Sequence, residues 1–413
     1  MMLMRAVRAT AALLFGVAAV ASAPPPVYVV AGHAATVVVP VEEAVESTGL
    51  AYAPTAGAWD NQTLRMVARV SAGGTSIRIR LSDVFSSQAA QIGHVTVGTQ
   101  MNGGSTLEAV PTTVTFGGAQ AVTIPAGGEV ASDPVAFTVT ANTRLLVSIY
   151  IAAGAQLAQA PRHDYADETE YNHNGGDVST AQYYPTSNTF SFATLLDGID
   201  VLAAAPPAPA LAGTVVAVGD SITDGLNTAS DTDTRWPDYL ANRLAGTGLA
   251  VVNEGIGGNR VTSDQGASGQ SLQHRWQRDV LSVPGVVAVV DADGINDLRN
   301  GVTAAELEQA QASLVASAHA AGLHILLSTI TPCAGEALCT TAVQAQIGTY
   351  NTWVRSGASG ADGVADFDAA VDAGGALKPI YDSGDHLHPN SQGAAMLGND
   401  INLGELVGTG VAP

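Results

Sequence analysis

Four stretches of this chain crowd reactive side chains together with glycines. They are Gly219-Asp220-Ser221-Ile222-Thr223-Asp224-Gly225, Asn253-Glu254-Gly255-Ile256-Gly257-Gly258-Asn259-Arg260, Asp293-Gly294-Ile295-Asn296-Asp297 and Asp385-His386-Leu387-His388-Pro389. The chemistry that fits them is acyl transfer. A serine hydroxyl becomes a useful nucleophile beside a base. A histidine supplies that base, and a carboxylate orients the imidazole and stabilises its cation. Asp385 stands three residues before His388, so on a turn or a first helical turn both side chains face the same way. A developing oxyanion needs preorganised N–H donors. The Ser221 N–H, a glycine N–H on closely approaching backbone, and an asparagine carboxamide would serve. Taken singly, these residues have plainer readings. Ser221 beside Asp220 is a helix-capping serine, and Asn296 is a turn residue. The four stretches together outweigh that reading.

The elements around these stretches must bring them to one place. From Thr214 onward, apolar runs alternate with helical patterns. The runs are Thr214–Val218, Leu249–Val252, Val286–Val290, Leu323–Ile330 and Val364–Phe367. The helical patterns are Trp236–Leu244, Leu272–Leu281, Ala304–Ala321, Ala342–Val354 and Gly393–Leu406. Strand-then-helix repetition predicts a parallel sheet wrapped by helices, and ligands of such sheets sit at the carboxyl ends of the strands. Each reactive stretch follows such a run. Residues before this region differ. Leu64–Val70, Ser76–Leu81, His94–Thr99 and Leu145–Ile151 alternate with a period of two and are broken by Gly, Pro and Asn. That pattern predicts half-buried strands of an all-β sandwich or jelly roll. The alternating arginines of Thr63–Arg65 and Ser76–Arg80 are expected to face solvent. The expected organisation is a signal peptide at 1–23, a β-sandwich domain at 24–201, an Ala/Pro linker at 202–213 and an α/β domain at 214–413.

Several functions are disfavoured at this level. Lys and Arg total 16 against 37 Asp and Glu, for a net charge of −21. Nucleic acids and anionic membrane surfaces would repel such a chain. Hydrophobic residues at 46% are enough for large cores. Arg5 and Arg8, the apolar run Ala11–Val20 and Ala21-Ser22-Ala23 form a secretory signal pattern. The expected location is therefore secreted or periplasmic, with cleavage near Ala23 and no membrane span. Cys333 and Cys339 are the two cysteines. In an oxidising compartment a disulfide between them would clip a short loop. No His stands at zinc-ligand spacing beside them, and neither a metal nor a cofactor is expected. Asp231–Asp233 and Asn172–Asp177 are expected to be solvated loops rather than calcium sites. The sequence sets no oligomeric state.

The four reactive stretches resemble, in order, the signature blocks of the SGNH/GDSL hydrolase superfamily: Gly-Asp-Ser-Ile, a glycine block, Gly-x-Asn-Asp and Asp-x-x-His. Gln62–Arg65, Arg78–Ser82, Asn253–Arg260 and Tyr381–Asn390 are further similar to a two-domain secreted bacterial branch with an N-terminal β-domain. Asp293 stands before Gly294 where relatives often carry Glu. The resemblance implies a three-layer α/β/α, flavodoxin-like domain with a five-stranded parallel sheet. It implies Ser221 as nucleophile, Asp385 and His388 as its partners, and Ser221, Gly258 and Asn296 as the oxyanion hole, with Gly257 the adjacent alternative to Gly258. The Asp-x-x-His spacing selects His388 over His386. Asp220 and Asp297 are expected to shape loops or cap helices. Arg235, Trp236 and Arg260 are candidates to line a substrate cleft, as is Arg275.

The reading that follows is an exported ester hydrolase acting on short acyl, above all acetyl, esters through an acyl-enzyme. Its partner is a small ester or an acetylated carbohydrate. Two alternatives stand beside it: an O-acetylesterase dedicated to polysaccharide, and a non-catalytic carbohydrate-binding surface protein.

Overall fold

Apolar runs of the second region become strands β12 (Gly213–Gly219), β13 (Leu249–Gly255), β14 (Val286–Ala292), β15 (His324–Ser328) and β16 (Gly363–Ala365), following eleven strands of the first region. They pair in the order β13-β12-β14-β15-β16, with every pairing parallel. This is the doubly wound order in which the chain reverses direction beside the first strand. The helices are α1 (Ser221–Asp224), α2 (Trp236–Leu244), α3 (Leu272–Trp276), α4 (Ile295–Arg299), α5 (Ala304–Ala320), α6 (Thr341–Arg355), α7 (Phe367–Val371), α8 (Ser391–Asp400) and α9 (Leu403–Leu406). Val215, Val218, Val289 and Leu326 are buried between helices such as α2, α5 and α6. Strands covered on both faces read as unbroken apolar runs for this reason.

The structure is a computed structural model that describes residues 36–40, 59–163, 168–202 and 213–408; for 36–40 only the backbone is described. The expected signal peptide lies outside the described residues, as does the linker between Leu202 and Gly213. Two predicted helices are divided. The segment expected at 272–281 is α3 followed by one π-helical turn, Gln277–Leu281. The segment expected at 393–406 breaks at Ile401–Asn402, where the Asn402 side chain accepts from Gly404 N–H and starts α9.

The first region contains β1 (Thr36–Pro40), β2 (Gln62–Val70), β3 (Ser76–Ser82), β4 (Ala90–Thr99), β5 (Thr112–Val114), β6 (Val122–Ile124), β7 (Glu129–Ala131), β8 (Thr143–Ile151), β9 (Glu170–Asn174), β10 (Asn188–Phe190) and β11 (Leu196–Leu202). They form two antiparallel sheets, β1-β11-β3-β7 and β10-β9-β2-β8-β4-β5, with β6 also on β4. Leu64, Met66, Val95 and Val147 of one sheet share a core with Ile77, Ile79 and Ile199 of the other. That is a sandwich, as the period-two pattern implies.

The opposite face of β2 corrects the solvent-facing expectation for its arginines. Val67 packs there with Leu107, Leu146, Tyr171 and Tyr184, so loops cover this face too. Arg65 is fully buried, and donates to Ser148 Oγ at 2.8 Å, Ser105 O at 2.7 Å and Ala181 O at 2.7 Å. Its guanidinium lies 4.3 Å from the Tyr184 ring centre. Arg78 is exposed and Arg80 half-buried, paired with Asp197 at 3.2 Å.

The described residues form a single compact unit. Strand β13 lies at the edge of the parallel sheet, and the sandwich covers it. Ser71 Oγ bonds both the carbonyl and the N–H of Val251 at 3.0 Å. Ala250 belongs to the sandwich core. The loop after α1 is held in the same way. Arg144 pairs with Asp233 at 2.9 Å, Asp231 accepts from Thr169 N–H at 2.7 Å, and Arg69 pairs with Asp238 at 2.7 Å. Exposed Asp231 and half-buried Asp233 thus contact the sandwich from a loop that still meets solvent. Asp177 likewise bonds Ser179 N–H at 2.9 Å and His94 Nδ1 at 3.1 Å.

Candidate active site

The carboxyl ends of β12, β13 and β14 carry three of the four reactive stretches to one edge of the sheet. Asp220 follows β12 and caps α1, accepting from Ile222 N–H at 2.9 Å. Ser221 opens α1, in the first turn, where N–H groups have no acceptor inside the helix. Its side chain is only 6% exposed. The loop between α7 and α8 supplies the remaining partners. Ser221 Oγ lies 2.8 Å from His388 Nε2, and His388 Nδ1 lies 2.6 Å from Asp385 Oδ2. The Asp385 carboxylate also accepts from the N–H groups of Leu387 at 3.0 Å and His388 at 2.9 Å. Burial works to raise the Asp385 pKa, but the hydrogen bonds from the His388 ring and from these N–H groups outweigh it. They hold Asp385 well below the usual carboxylate range. The ionised carboxylate keeps the ring proton on Nδ1 and leaves the Nε2 lone pair for the serine hydroxyl. His386 instead bonds Asp382 at 2.6 Å and is exposed, away from this chain of contacts.

The glycine stretch forms a four-residue turn in which Asn259 N–H donates to Ile256 O at 3.0 Å. Gly258 sits in it at φ +76°, and an added Cβ would lie 2.4 Å from Ser268 Oγ. Only glycine fits on both counts. Gly255 packs just as closely: a Cβ there would lie 2.2 Å from Asp224 N, so β13 presses against the backbone of α1. Asn296 stands on α4, and is 7% exposed. Its Nδ2 donates to Asn259 O at 3.0 Å and faces Asp220 Oδ2 at 3.4 Å. Asp297 accepts from Val261 N–H at 2.8 Å and Thr262 N–H at 3.1 Å, which ties the glycine loop to α4.

Beneath these groups lie four buried carboxyls, Asp220, Asp291, Asp293 and Asp297. Burial pushes Asp220 and Asp291 up to about 7. Asp293 is raised well above the ordinary range, first by burial and then by the neighbouring Asp220 charge. Among the described residues no group of three or more His, Cys, Asp or Glu side chains could hold a metal ion.

The cleft-lining expectations fare unevenly. Trp236 is fully buried, with its ring edge-on to Phe367 at 5.3 Å and its Nε1 donating to Thr223 Oγ1 at 3.2 Å. It is a core residue that buttresses α1, because it is the first residue of a helix whose inner face meets the sheet. Arg275 is also buried. It donates to Glu254 O at 2.8 Å, Gly219 O at 3.2 Å and Asn259 Oδ1 at 3.2 Å, and so ties strand ends together inside the fold. Arg235 is half-buried with its stem against Gly225, and Arg260 is half-buried directly after the glycine turn. Cys333 and Cys339 are joined in a disulfide, as expected.

Two neighbours carry no sequence signal of their own. Asn227, at φ +70°, donates to Asp385 Oδ2 at 2.9 Å. His163 reaches from the sandwich region to Asp224 Oδ1 of α1 at 3.1 Å, both side chains being buried. An asparagine in a polar loop and a lone histidine before a run of acids look like any others until the fold places them.

Residues 217–396 match the GDSL-like Lipase/Acylhydrolase family, and the chain is a carboxylic ester hydrolase. No curated protein matches the chain. Similar solved structures include an acetylxylan esterase of Geobacillus stearothermophilus, 24% identical over 46% of this chain with a TM-score of 0.37, of which 91% is covered. They also include an alpha/beta hydrolase enzyme from the metagenome of Lake Arreo, Spain (25% identical, 46% of this chain and 94% of that one, TM-score 0.37). A GDSL-like lipase of Bacteroides thetaiotaomicron is 20% identical over 45% of this chain and 84% of its own, with a TM-score of 0.36.

Proposed function

We propose that this chain is an exported serine esterase that cleaves short acyl esters, above all acetyl esters, through an acyl-enzyme on Ser221. The observation that carries the reading is the continuous Ser221–His388–Asp385 contact chain, 2.8 and 2.6 Å long in its two links.

Ser221 Oγ attacks the ester carbonyl carbon while its proton passes to His388 Nε2. The carbonyl electron pair moves onto oxygen, and the oxyanion takes hydrogen bonds from the N–H groups of Ser221 and Gly258 and from Asn296 Nδ2. Collapse of this intermediate breaks the carbon–oxygen bond to the alcohol, which leaves with the His388 proton. Water then attacks the acyl-Ser221 carbonyl, gives a proton to His388, and the second collapse returns that proton to Ser221 Oγ as the acid departs. Asp385 stays ionised throughout and stabilises the imidazolium.

Export rests on the signal pattern of residues 1–23, and the Cys333–Cys339 bond supports it, since such bonds persist in oxidising compartments. A short acyl chain is supported by the use of apolar residues in the α/β region. Its long apolar runs are consumed by the sheet core, which leaves no extended apolar lid in the sequence. The charge of −21 favours neutral esters, including O-acetylated polysaccharide, over polyanions. Ser221→Ala is expected to lower kcat on p-nitrophenyl acetate by about 10⁴-fold or more, with the melting temperature kept. It should also lose labelling by a fluorophosphonate probe. Turnover and labelling equal to wild type in that variant would overturn the reading. A panel of acetylated polysaccharides and of p-nitrophenyl esters of increasing length ranks the substrate classes.

A further inference from the structure

The Cys333–Cys339 loop lies next to the proposed oxyanion site, and its one acidic side chain points back toward it. Glu336 sits midway in the loop. Its N–H donates to Cys333 O at 3.1 Å, and its carbonyl accepts from Cys339 N–H at 3.1 Å. Its carboxylate accepts from Leu338 N–H at 2.9 Å. The disulfide closes this turn covalently. The same carboxylate grips Arg299, the last residue of α4, in a two-pronged pair: Nη2 to Oε1 at 2.9 Å and Nε to Oε2 at 3.2 Å. Both side chains are largely buried, at 12% and 16% exposure, so solvent screens the pair less than it would an exposed one. The third nitrogen of Arg299, Nη1, donates to Asn296 Oδ1 at 3.1 Å, one helical turn back.

A carboxamide has two ends of opposite character, and its two orientations are nearly equal in shape. Arg299 on the oxygen side and the Asn259 carbonyl on the nitrogen side both break that tie. A guanidinium donates and never accepts, so it holds the oxygen end of Asn296 and forces the NH₂ end toward Asn259 O and Asp220. Only that orientation keeps N–H groups rather than oxygen lone pairs on this side, and the oxyanion would take one of them in place of the long 3.4 Å contact to Asp220. Without it, the flipped amide would turn its oxygen lone pairs toward the developing negative charge.

We infer that Arg299 and Glu336 are positioning residues that fix the Asn296 carboxamide for oxyanion stabilisation, with the disulfide-closed loop as their anchor. The inference rests on the acyl-transfer reading above. The loop also meets the histidine segment, since Gly335 packs against the His386 ring, where an added Cβ would lie 3.0 Å from Cγ. One covalently closed turn thus braces both the donor side and the base side of the site.

The test is a double-mutant cycle on a short p-nitrophenyl ester, with kcat and KM measured separately and folding followed by thermal melting. Arg299→Ala and Glu336→Gln are expected to lower kcat by about ten-fold, less than loss of a whole oxyanion donor, with KM changed little. Arg299→Lys keeps one donor and should recover part of the loss. In an Asn296→Ala background, Arg299→Ala should cost almost nothing more. The double variant Cys333→Ser/Cys339→Ser should lower kcat in wild type and leave Asn296→Ala unaffected. The inference is overturned if Arg299→Ala keeps wild-type kcat, or if it costs the same factor with and without Asn296. Should Arg299→Ala not fold, Arg299→Lys and Glu336→Gln complete the same cycle. Turnover that survives Ser221→Ala strikes the acyl-transfer reading itself, so the two failures are read in different variants.

Discussion

Buried polar side chains are distributed differently in the two halves of this molecule. In the α/β region one set gathers past the carboxyl ends of the strands: Asp220, Ser221, Asn296, Asp297 and His388. In the sandwich they lie within strands or against their faces: Arg65 on β2, Thr96 on β4, Ser148 on β8, and Glu170 and Asn172 on β9. Arg65 spends its donors on a serine and two carbonyls, and Glu170 accepts from Val67 N–H at 2.8 Å. These contacts are complete within the fold and stitch loops to the outer face of a sheet. At the strand ends, in contrast, a histidine nitrogen meets a serine hydroxyl beside a turn that only glycine can make. Polar groups that close on one another serve architecture. Polar groups that bring a nucleophile, a base and a carboxylate into one chain of contacts serve chemistry.

This contrast can be broken at either end. The largest expected effect is at the strand ends. Asp385→Asn should lower kcat by about 10³-fold, because the wrong histidine tautomer then faces Ser221. Melting temperature should hardly move, since the Asp385 side chain is 41% exposed. A variant with near-wild-type kcat would erase the distinction between the halves. Arg65→Met comes next and should do the reverse. It strands the buried acceptors that Arg65 now satisfies, at a cost of about 3 kcal/mol in denaturant unfolding. Turnover per folded enzyme should remain that of wild type, and a selective loss of kcat would show that the sandwich takes part in the chemistry.

The smallest effect is a slope. Burial raises Asp291 to about 7, so the folded protein holds a proton there that the unfolded chain releases above about 4. A raised carboxyl contributes stability below the unfolded pKa and loses it as pH climbs through the folded one. Stability should therefore fall between about pH 4 and pH 7 and level off above, by at most about 1.4 kcal/mol per pH unit for one group. Asp220 acts with the same sign. Asp385, whose pKa is lowered, acts oppositely and matters only as the pH falls below the ordinary carboxylate range. Asp291→Asn should flatten the slope in thermal melts at pH 4.5, 5.5, 6.5 and 7.5. An unchanged slope would mean that this carboxyl is ionised in the fold.

Much of the architecture is legible in the sequence. Val286–Val290 reads as a strand buried on both faces, and Trp236–Leu244 as a helix, because apolar period reports which faces are covered. The reactive stretches stood out because glycines and carboxylates after apolar strands have no packing reason to be there. Trp236 stands in the sequence both as a candidate cleft residue and as a helix-start packing residue, because an aromatic beside the reactive loop looks the same whether it faces substrate or Phe367. Arg65 was misread because alternation marks two faces and cannot tell whether the second is later covered by loops around Leu107 and Tyr184. Arg299 and Glu336 are 37 positions apart and Asn227 and Asp385 are 158 apart, and nothing local in either member announces the other.

The sequence by itself determined the order of strands and helices, the two textures of the chain, and the identity and chain order of the groups able to transfer an acyl chain. These follow from local periodicity and residue chemistry, which need no distant partner. Tertiary structure alone decided that Asn227 meets Asp385, that Arg299 orients Asn296, and that the sandwich seals the edge strand β13 through Ser71. Those outcomes depend on where separate loops converge, and a hydrogen bond between them exists only once the sheet has set their distance.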